Sequence, residues 1–310
     1  MDKVILLAGT ANPRLATAIA QQLNIPLGAS VVERFPDGEI SVELLESVRQ
    51  KAVFIVQSTS PPVNDHLVEL MVIVDACRRA AASRITAIVP YFGYARADKR
   101  HGWREPITAS MVAEVLQTVG INHVVTLDLH TPQIEGFFHI PVDSLTAVPI
   151  LCEALRHRLP SGFVVVSPDT GRVQMAIQYA QQLNSSVVVL LKHRKSSSET
   201  EVTCVVGDVS DRPCLIIDDM ISTGGTIARS IEALLKAGAH PEMIIAATHG
   251  LFVKKARAQL SHPSVQAIFV TDTIAPKETD WQQLHVVSIA PLIAAAIQQF
   301  KTDDSINKVC

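Results

Sequence analysis

Residues 215–227, LIIDDMISTGGTI, combine residue types that suit the binding of a phosphorylated, hydroxyl-rich molecule. An apolar run meets two adjacent acids, Asp218 and Asp219, and a Ser-Thr-Gly-Gly-Thr turn precedes a helical pattern that begins at Ile227. Glycines let the backbone approach a phosphate closely, and the free N–H groups at a helix start attract its charge. Because carboxylates repel a phosphate, we expect the two acids to hold hydroxyls or a metal instead.

A basic loop at residues 94–104 follows the apolar run ITAIVPY and has the composition of a polyphosphate-binding loop. It contains Arg96 and Lys99, and an arginine can hold two phosphate oxygens at once. A solvated surface turn would explain the same charges. The position after a predicted buried strand keeps both interpretations open.

A second charged loop, residues 192–199, joins the run SVVVLL to the β-like run EVTCVV. Its serines and charges predict mobility, so it could close over a reaction and place Lys192 and Arg194 against developing phosphate charge. An ordinary flexible hairpin tip explains this composition equally well.

Two strand ends carry candidate metal ligands, His130 in TLDLH and Asp169 in VSPDTG. Mg²⁺ prefers oxygen ligands, which makes His130 the less expected partner. A strand-end histidine is more often a hydrogen-bonded structural residue, and Asp169 could be the N-cap of a helix.

Phe35, Asp37 and Glu39 lie in a predicted turn, FPDGE, that leads into the strand-like ISVEL. A planar ring beside two hydrogen-bond acceptors could recognise an adenine, whose exocyclic amine donates hydrogen bonds. An ordinary turn with one buried phenylalanine is the simpler interpretation.

The elements that position these residues are short Val/Ile/Leu runs that alternate with helical patterns. Continuous apolar runs are typical of strands that are buried on both faces, so we predict mainly parallel sheets flanked by helices. In such sheets, ligands bind beyond the carboxyl ends of the strands, and every loop described above follows a strand-like run.

An internal repeat indicates two related α/β domains. AQQLN occurs at Ala20–Asn24 and again at Ala180–Asn184, an offset of 160 residues, and the same offset aligns AVFIVQ with CLIIDD and ITAIVPY with EMIIAAT. We predict domains at residues 1–146 and 147–310.

Composition excludes several classes of protein. The net charge of −3 gives no global basic field for nucleic acid, and the most apolar late stretch, VVSIAPLIAAAI, is too short to span a bilayer. The five scattered cysteines show no metal-ligand spacing and predict reduced thiols. These features predict a soluble, cytoplasmic protein that contacts neither nucleic acid nor membrane.

The chain resembles the ribose-phosphate pyrophosphokinase (phosphoribosyl pyrophosphate synthetase) family over nearly its whole length. The strings that carry the resemblance are RFPDGEISVE, VFIVQSTSPPVNDHLVEL, ITAIVPYFGYAR, DLHTPQIEGFF, IPVDSL, VVSPDTG, VVGDV, DDMISTGGTI and VTDTI. The DDMISTGGT loop alone would fit any phosphoribosyltransferase-like protein, whereas so many motifs in order are specific to this family.

The resemblance implies two tandem phosphoribosyltransferase-like domains and transfer of the pyrophosphoryl group of ATP to the C1 hydroxyl of ribose 5-phosphate. The products are AMP and phosphoribosyl pyrophosphate, which serves nucleotide, histidine and tryptophan synthesis. The family also implies Mg²⁺ as cofactor, inorganic phosphate as activator and a homohexamer.

The resemblance further assigns the site residues. Ribose 5-phosphate would be held by Asp218, Asp219, Ser222, Thr223, Gly224, Gly225 and Thr226. ATP would be held by Arg96, Lys99 and, from a neighbouring subunit, Phe35, Asp37 and Glu39. His130 and Asp169 match the metal positions, and Lys192 and Arg194 match a catalytic flexible loop.

Several positions depart from the family pattern. Ala97 stands where the family usually has Gln, and Arg172 replaces the second glycine of SPDxGG beside the metal-binding loop. Ser222 stands where related members often have Asp, and His101-Gly102-Trp103 differs from the segment that the family links to phosphate activation and ADP inhibition. The ending TDDSINKVC also differs. Catalysis is therefore expected, while allosteric control is in question.

Two other functions compete with this one. A catalytically weak paralogue that regulates a true synthetase would retain the fold, but here Lys192, Arg194, His130 and Asp169 are all present. An ordinary phosphoribosyltransferase would explain the DDMISTGGT loop but not the paired domains or the FPDGE segment.

Overall fold

The structure, a computed structural model, describes residues 4–100, 102–194, 200–277 and 280–302. Apart from the gaps, these residues form two compact units, the first from residues 4–146, 273–275 and 288–302 and the second from residues 147–272 and 276–287. The units therefore do not follow a single cut after residue 146, because the chain returns to the first unit near its end.

The first unit contains a five-stranded sheet, a two-stranded sheet and helices. Its strands are β1 Val4–Ala8, β2 Ser30–Arg34, β3 Ile40–Leu44, β4 Ala52–Val56, β5 Arg84–Val89, β6 His123–Leu127 and β7 Val142–Leu145. Its helices are α1 Pro13–Leu23, α2 Val63–Arg79, α3 Thr108–Val119 and α8 Ala290–Thr302. The order in the larger sheet is β1-β4-β5-β6-β7 with every pair parallel, and β2 and β3 form a separate antiparallel hairpin.

Strand β4 shows how helices cover both faces of the first sheet. Val53 and Ile55 pack into the core that includes side chains of α2 and α3. Phe54 points to the opposite face, since strand side chains alternate, and its ring centroid lies 5.8 Å from that of Phe300 in α8. Helix α8 also packs against α1. This packing explains why residues 288–302 belong to the first unit.

The second unit contains the seven-stranded sheet. Its strands are β8 Val164–Ser167, β9 Ser186–Arg194, β10 Thr200–Val206, β11 Cys214–Ile221, β12 Met243–Gly250, β13 Val265–Thr271 and β14 Leu284–Val287. Its helices are α4 Val148–Leu155, α5 Val173–Leu183, α6 Gly225–Lys236 and α7 Ala256–Leu260. The strand order is β10-β9-β8-β11-β12-β13-β14, with only β10 antiparallel to its neighbour.

The five strands β8-β11-β12-β13-β14 repeat the order of the first sheet, as the internal repeat predicts. Helices α1 and α5 lie 160 residues apart, at Pro13–Leu23 and Val173–Leu183. Each ends at the asparagine of AQQLN, and Asn24 and Asn184 take the left-handed conformation with φ of 52° and 53°. Asparagine tolerates this conformation at a helix end, so the repeated string is a repeated helix stop. The predicted fold class is confirmed.

The cysteines behave as core residues. Among the described residues, Cys77, Cys152 and Cys214 are buried and free, and burial raises the pKa of each thiol to about 12. Cys204 is free and exposed. None of the described helices is both apolar enough and long enough to cross a bilayer.

Candidate active site

The two acids of the DDMISTGGT stretch lie inside β11, whose residues are all buried. Asp218 pairs with Ala247 of β12, and the backbone N–H of Asp219 donates to Asp218 Oδ1 at 2.9 Å. Burial, followed by the neighbouring Asp219 carboxylate, raises the pKa of Asp218 well above its usual range, whereas the Arg172 guanidinium lowers it. The pair is therefore a buried, oxygen-rich site at the carboxyl half of a central strand, where burial disfavours the charged form of Asp218.

Arg172 provides the positive charge beside these acids. Its Nε lies 3.6 Å from Asp218 Oδ1 and 3.3 Å from Asp219 Oδ1. The residue ends a 3₁₀ turn, Thr170–Arg172, which begins α5 and contacts both β11 and β9. Sequence comparison identified Arg172 only as a departure from a glycine, and the structure adds its partners.

The turn after β11 is built around Gly224. Its φ is +81°, and a Cβ at this position would lie 3.1 Å from Leu260 Cγ, so both backbone conformation and space favour glycine. Gly224 is the N-cap of α6 without a side-chain cap hydrogen bond. Thr223 is exposed, and Ser222, Gly225 and Thr226 are half-buried. The predicted phosphate loop thus lies at a helix start, where backbone N–H groups and the helix dipole favour an anion.

Arg229 lies near the same turn and is a residue that sequence reasoning missed. A Cβ on Gly225 would come within 3.3 Å of Arg229 Nη1. Residues four apart on a helix share a face, so the spacing from Gly225 to Arg229 could have indicated this second cation.

Asp169 follows β8 and caps the 3₁₀ turn, as its N-cap interpretation predicts. Its Oδ1 accepts the N–H of Gly171 at 3.0 Å, and its carbonyl accepts the Ser167 hydroxyl at 2.7 Å. An ionised carboxylate has about four acceptor positions, and its hard oxygens suit Mg²⁺. The capping role is therefore compatible with the predicted metal role.

In the first unit, the basic loop after β5 is anchored by a buried acid. Asp98 Oδ2 accepts hydrogen bonds from Thr131 Oγ1 at 2.5 Å and from Gln133 Nε2 at 2.8 Å, while Arg96 and Lys99 are exposed. Asp98 thereby ties the loop to the segment that directly follows His130. Sequence reasoning gave Asp98 no role, although a lone acid between basic residues was a usable signal.

His130 lies three residues beyond β6 and is half-buried. It belongs to the first unit and Asp169 to the second, so their shared metal site stays a prediction. Within the described ranges, no group of three or more His, Cys, Asp or Glu side chains is placed to hold one metal ion.

Phe35, Asp37 and Glu39 form the tip of the β2–β3 hairpin. Phe35 N–H donates to the Glu39 carbonyl at 2.9 Å, and Glu39 N–H donates to Asp37 Oδ1 at 3.1 Å. The Phe35 side chain is 54% exposed, which excludes the simple turn with a buried phenylalanine. Arg34 at the end of β2 pairs with Asp65 of α2 at 3.1 Å and holds the hairpin against the unit.

Lys192 and Arg194 end β9, where their backbones pair with Val202 and Thr200 of β10. They therefore stand on an antiparallel ribbon at the edge of the second sheet. Residues 195–199 of the predicted flexible loop lie outside the described residues, as do His101 and the chain ending at residues 303–310.

Known proteins are similar to this chain over nearly its whole length. The family described as the N-terminal domain of ribose phosphate pyrophosphokinase matches residues 4–120, and the phosphoribosyl synthetase-associated domain matches residues 194–310. A ribose-phosphate pyrophosphokinase from Brucella melitensis is 43% identical over 98% of this chain and 99% of its own. The chain belongs to the ribose-phosphate pyrophosphokinase family.

Other members of the ribose-phosphate pyrophosphokinase family are similarly close. The protein of that name from Ralstonia nicotianae is 44% identical over 98% of this chain and 97% of its own. The crystal structure of phosphoribosylpyrophosphate synthetase from Mycobacterium smegmatis superimposes with a TM-score of 0.91 at 40% identity, covering 98% of this chain and all of that one.

Proposed function

We propose that this chain transfers the pyrophosphoryl group of ATP to the C1 hydroxyl of ribose 5-phosphate and releases phosphoribosyl pyrophosphate and AMP. The observation that carries this function is its 43% identity over 98% of the chain to a ribose-phosphate pyrophosphokinase. The buried acid pair and the helix-start loop of the second unit are chemically suited to the sugar phosphate.

Ribose 5-phosphate would bind the loop after β11. The carboxylates of Asp218 and Asp219 accept hydrogen bonds from the ribose hydroxyls, and residues 222–226 hold the 5-phosphate with backbone N–H groups and hydroxyls. The N–H of Asp219 fixes the Asp218 carboxylate, so one acceptor is oriented before the sugar arrives.

ATP would bind with residues of the first unit. Arg96 and Lys99 meet its phosphates on the loop that Asp98 anchors. The exposed Phe35 ring and the acceptors of Asp37 and Glu39 receive the adenine of an ATP bound to a neighbouring subunit. The proposal therefore includes a homo-oligomer, a hexamer by family resemblance, in the cytoplasm.

Cationic groups would meet the charge of the transferred group. Asp169 and His130 would hold Mg²⁺, which when bound neutralises charge on the ATP oxygens. Lys192 and Arg194 on the β9 ribbon stabilise the charge that spreads over the transferred phosphates. The chain contributes positioning and electrostatics, since this transfer needs no covalent intermediate on the protein.

The test is AMP release from ATP by purified protein with Mg²⁺ and ribose 5-phosphate, with and without inorganic phosphate. We expect AMP formation that requires the sugar phosphate, and phosphate dependence would establish the activator. Absence of AMP under all conditions would reject the enzyme and leave the regulatory paralogue. Light scattering on the same sample measures the oligomer.

A further inference from the structure

An arginine is buried against both acids of the sugar-phosphate loop. The side chains of Arg172, Asp218 and Asp219 are 11, 12 and 2% exposed, and the guanidinium Nε approaches one oxygen of each acid at 3.6 and 3.3 Å. Water screens charges little in such a place, so the guanidinium attracts the ionised acids strongly.

Two adjacent buried carboxylates stay ionised together only beside a positive partner, because their repulsion is weakly screened. A divalent cation is one such partner, since paired carboxylates are oxygen ligands of the kind that Mg²⁺ and Mn²⁺ take. A guanidinium is another, and it stays protonated at every pH at which a protein is folded. The distances show that in this chain the guanidinium holds that position.

We propose that Arg172 is a fixed counter-ion that replaces a divalent cation at the Asp218–Asp219 pair, so that ribose 5-phosphate binds without a metal on these acids. This inference rests on the proposed function and deepens it. The sugar hydroxyls donate to carboxylates whose charge is already partly balanced, and divalent cations are confined to other ligands. Arg172 is thus a positioning residue, which acts through the two acids.

Counting bound Mn²⁺ by electron paramagnetic resonance, without nucleotide or sugar, tests the replacement directly. Arg172→Ala should bind one more Mn²⁺ per chain than the wild type, because the acid pair then needs a new cation. Arg156→Ala, which removes an exposed arginine paired with Glu153 at 3.3 Å, is the matched control and should bind the wild-type number. Equal numbers in all three proteins would overturn the proposal.

A second count does not depend on the folding of the arginine variant. In the wild-type background, Asp218→Asn should leave the number of bound Mn²⁺ ions unchanged, because the acids hold none. Loss of one ion would overturn the proposal. If the wild type forms no AMP, the proposed function is rejected, but the number of bound Mn²⁺ ions still tests the role of Arg172.

Calorimetric titration with ribose 5-phosphate, in EDTA and in Mg²⁺ without ATP, completes the test. The wild type should show dissociation constants within about twofold of each other, whereas Arg172→Ala should bind roughly tenfold more weakly in EDTA and recover in Mg²⁺. A wild type that binds tenfold more weakly in EDTA would contradict the replacement of the metal by the guanidinium.

Discussion

The loops after β4 and β11 occupy the same place in the shared strand order, but they differ in whether their polar side chains are buried or exposed. In the first unit, Ser58 donates to the Thr273 carbonyl at 2.5 Å and Thr59 donates to the Tyr91 carbonyl at 3.1 Å, and both side chains are buried. In the second unit, Thr223 is exposed on the loop that follows the strand of the acid pair. The same strand order thus supports two kinds of loop. We call the loop after β4, whose polar side chains are buried, the sealed loop, and the loop after β11, with its exposed threonine, the open loop. Binding therefore depends on the loop residues rather than on topology.

The segments after α1 and α5 also differ between the two units, in how their strands pair. The first forms the separate β2–β3 hairpin that presents Phe35, whereas the second forms β9 and β10, which extend the second sheet and carry Lys192 and Arg194. Each unit therefore adds its own candidate functional residues at an equivalent position. Substitutions in the two units should affect different measurable properties.

The largest effect should come from the β9 ribbon, which the first unit lacks. Lys192→Ala should lower kcat by about 10²–10³ with little change in KM for ribose 5-phosphate, because the ammonium acts on transition-state charge. Steady-state AMP release measures both constants, with Lys236→Ala at the exposed end of α6 as the charge-matched control. A kcat of Lys192→Ala close to that of the wild type would contradict a catalytic role for Lys192.

The next effect concerns the buried acid pair of β11. Arg172→Ala should destabilise the second unit by about 3 kcal/mol near pH 8, since it leaves two buried acids without their guanidinium. Thermal unfolding against pH measures this loss.

The pH dependence of that loss has a defined sign. The guanidinium lowers the pKa of Asp218, so its removal raises this already elevated folded pKa further above the ordinary 3.8. The folded variant then binds a proton more tightly than the unfolded chain, and its stability falls as pH rises from 3.8 through the folded pKa. The melting-temperature deficit relative to wild type should therefore be smaller at pH 5 than at pH 8, and equal deficits would contradict the account.

A smaller loss of stability should follow from the sealed loop. Thr59→Ala removes a buried hydroxyl that also accepts the Gly93 N–H at 2.6 Å, and an unpaired buried donor costs about 1–3 kcal/mol. Melting temperature should fall, while the ribose 5-phosphate affinity measured by calorimetry stays at the wild-type value. Weakened sugar binding would show that the sealed loop takes part in it.

Thr223 of the open loop should show the reverse behaviour and the smallest free-energy change. Thr223→Ala should weaken ribose 5-phosphate about fivefold to tenfold, as expected for one lost hydrogen bond to a charged phosphate, with the melting temperature unchanged. The same titration and melting experiments decide the outcome. A drop in stability without loss of affinity would mean that Thr223 supports the turn instead.

Most of the strands and helices could be predicted from the sequence, because their residue patterns follow directly from burial and helix termination. The run CLII is apolar because β11 is buried on both faces, and the AQQLN repeat marks the same helix stop in both units. The contact of Arg172 with the acids could not be predicted, because it joins residues 46 and 47 positions apart through the packing of the 3₁₀ turn on β11. The anchoring role of Asp98 could not be predicted for the same reason, since its partners Thr131 and Gln133 follow a different strand.

Helix α8 gives the chain a particular order of assembly. The ribosome synthesises the first unit's sheet early but delivers Phe300, which covers Phe54 and His123, only after the whole second unit. Until then part of one face of the nascent sheet remains uncovered and is a target for chaperones or for premature association. The unit that begins to fold first is therefore the last to be finished.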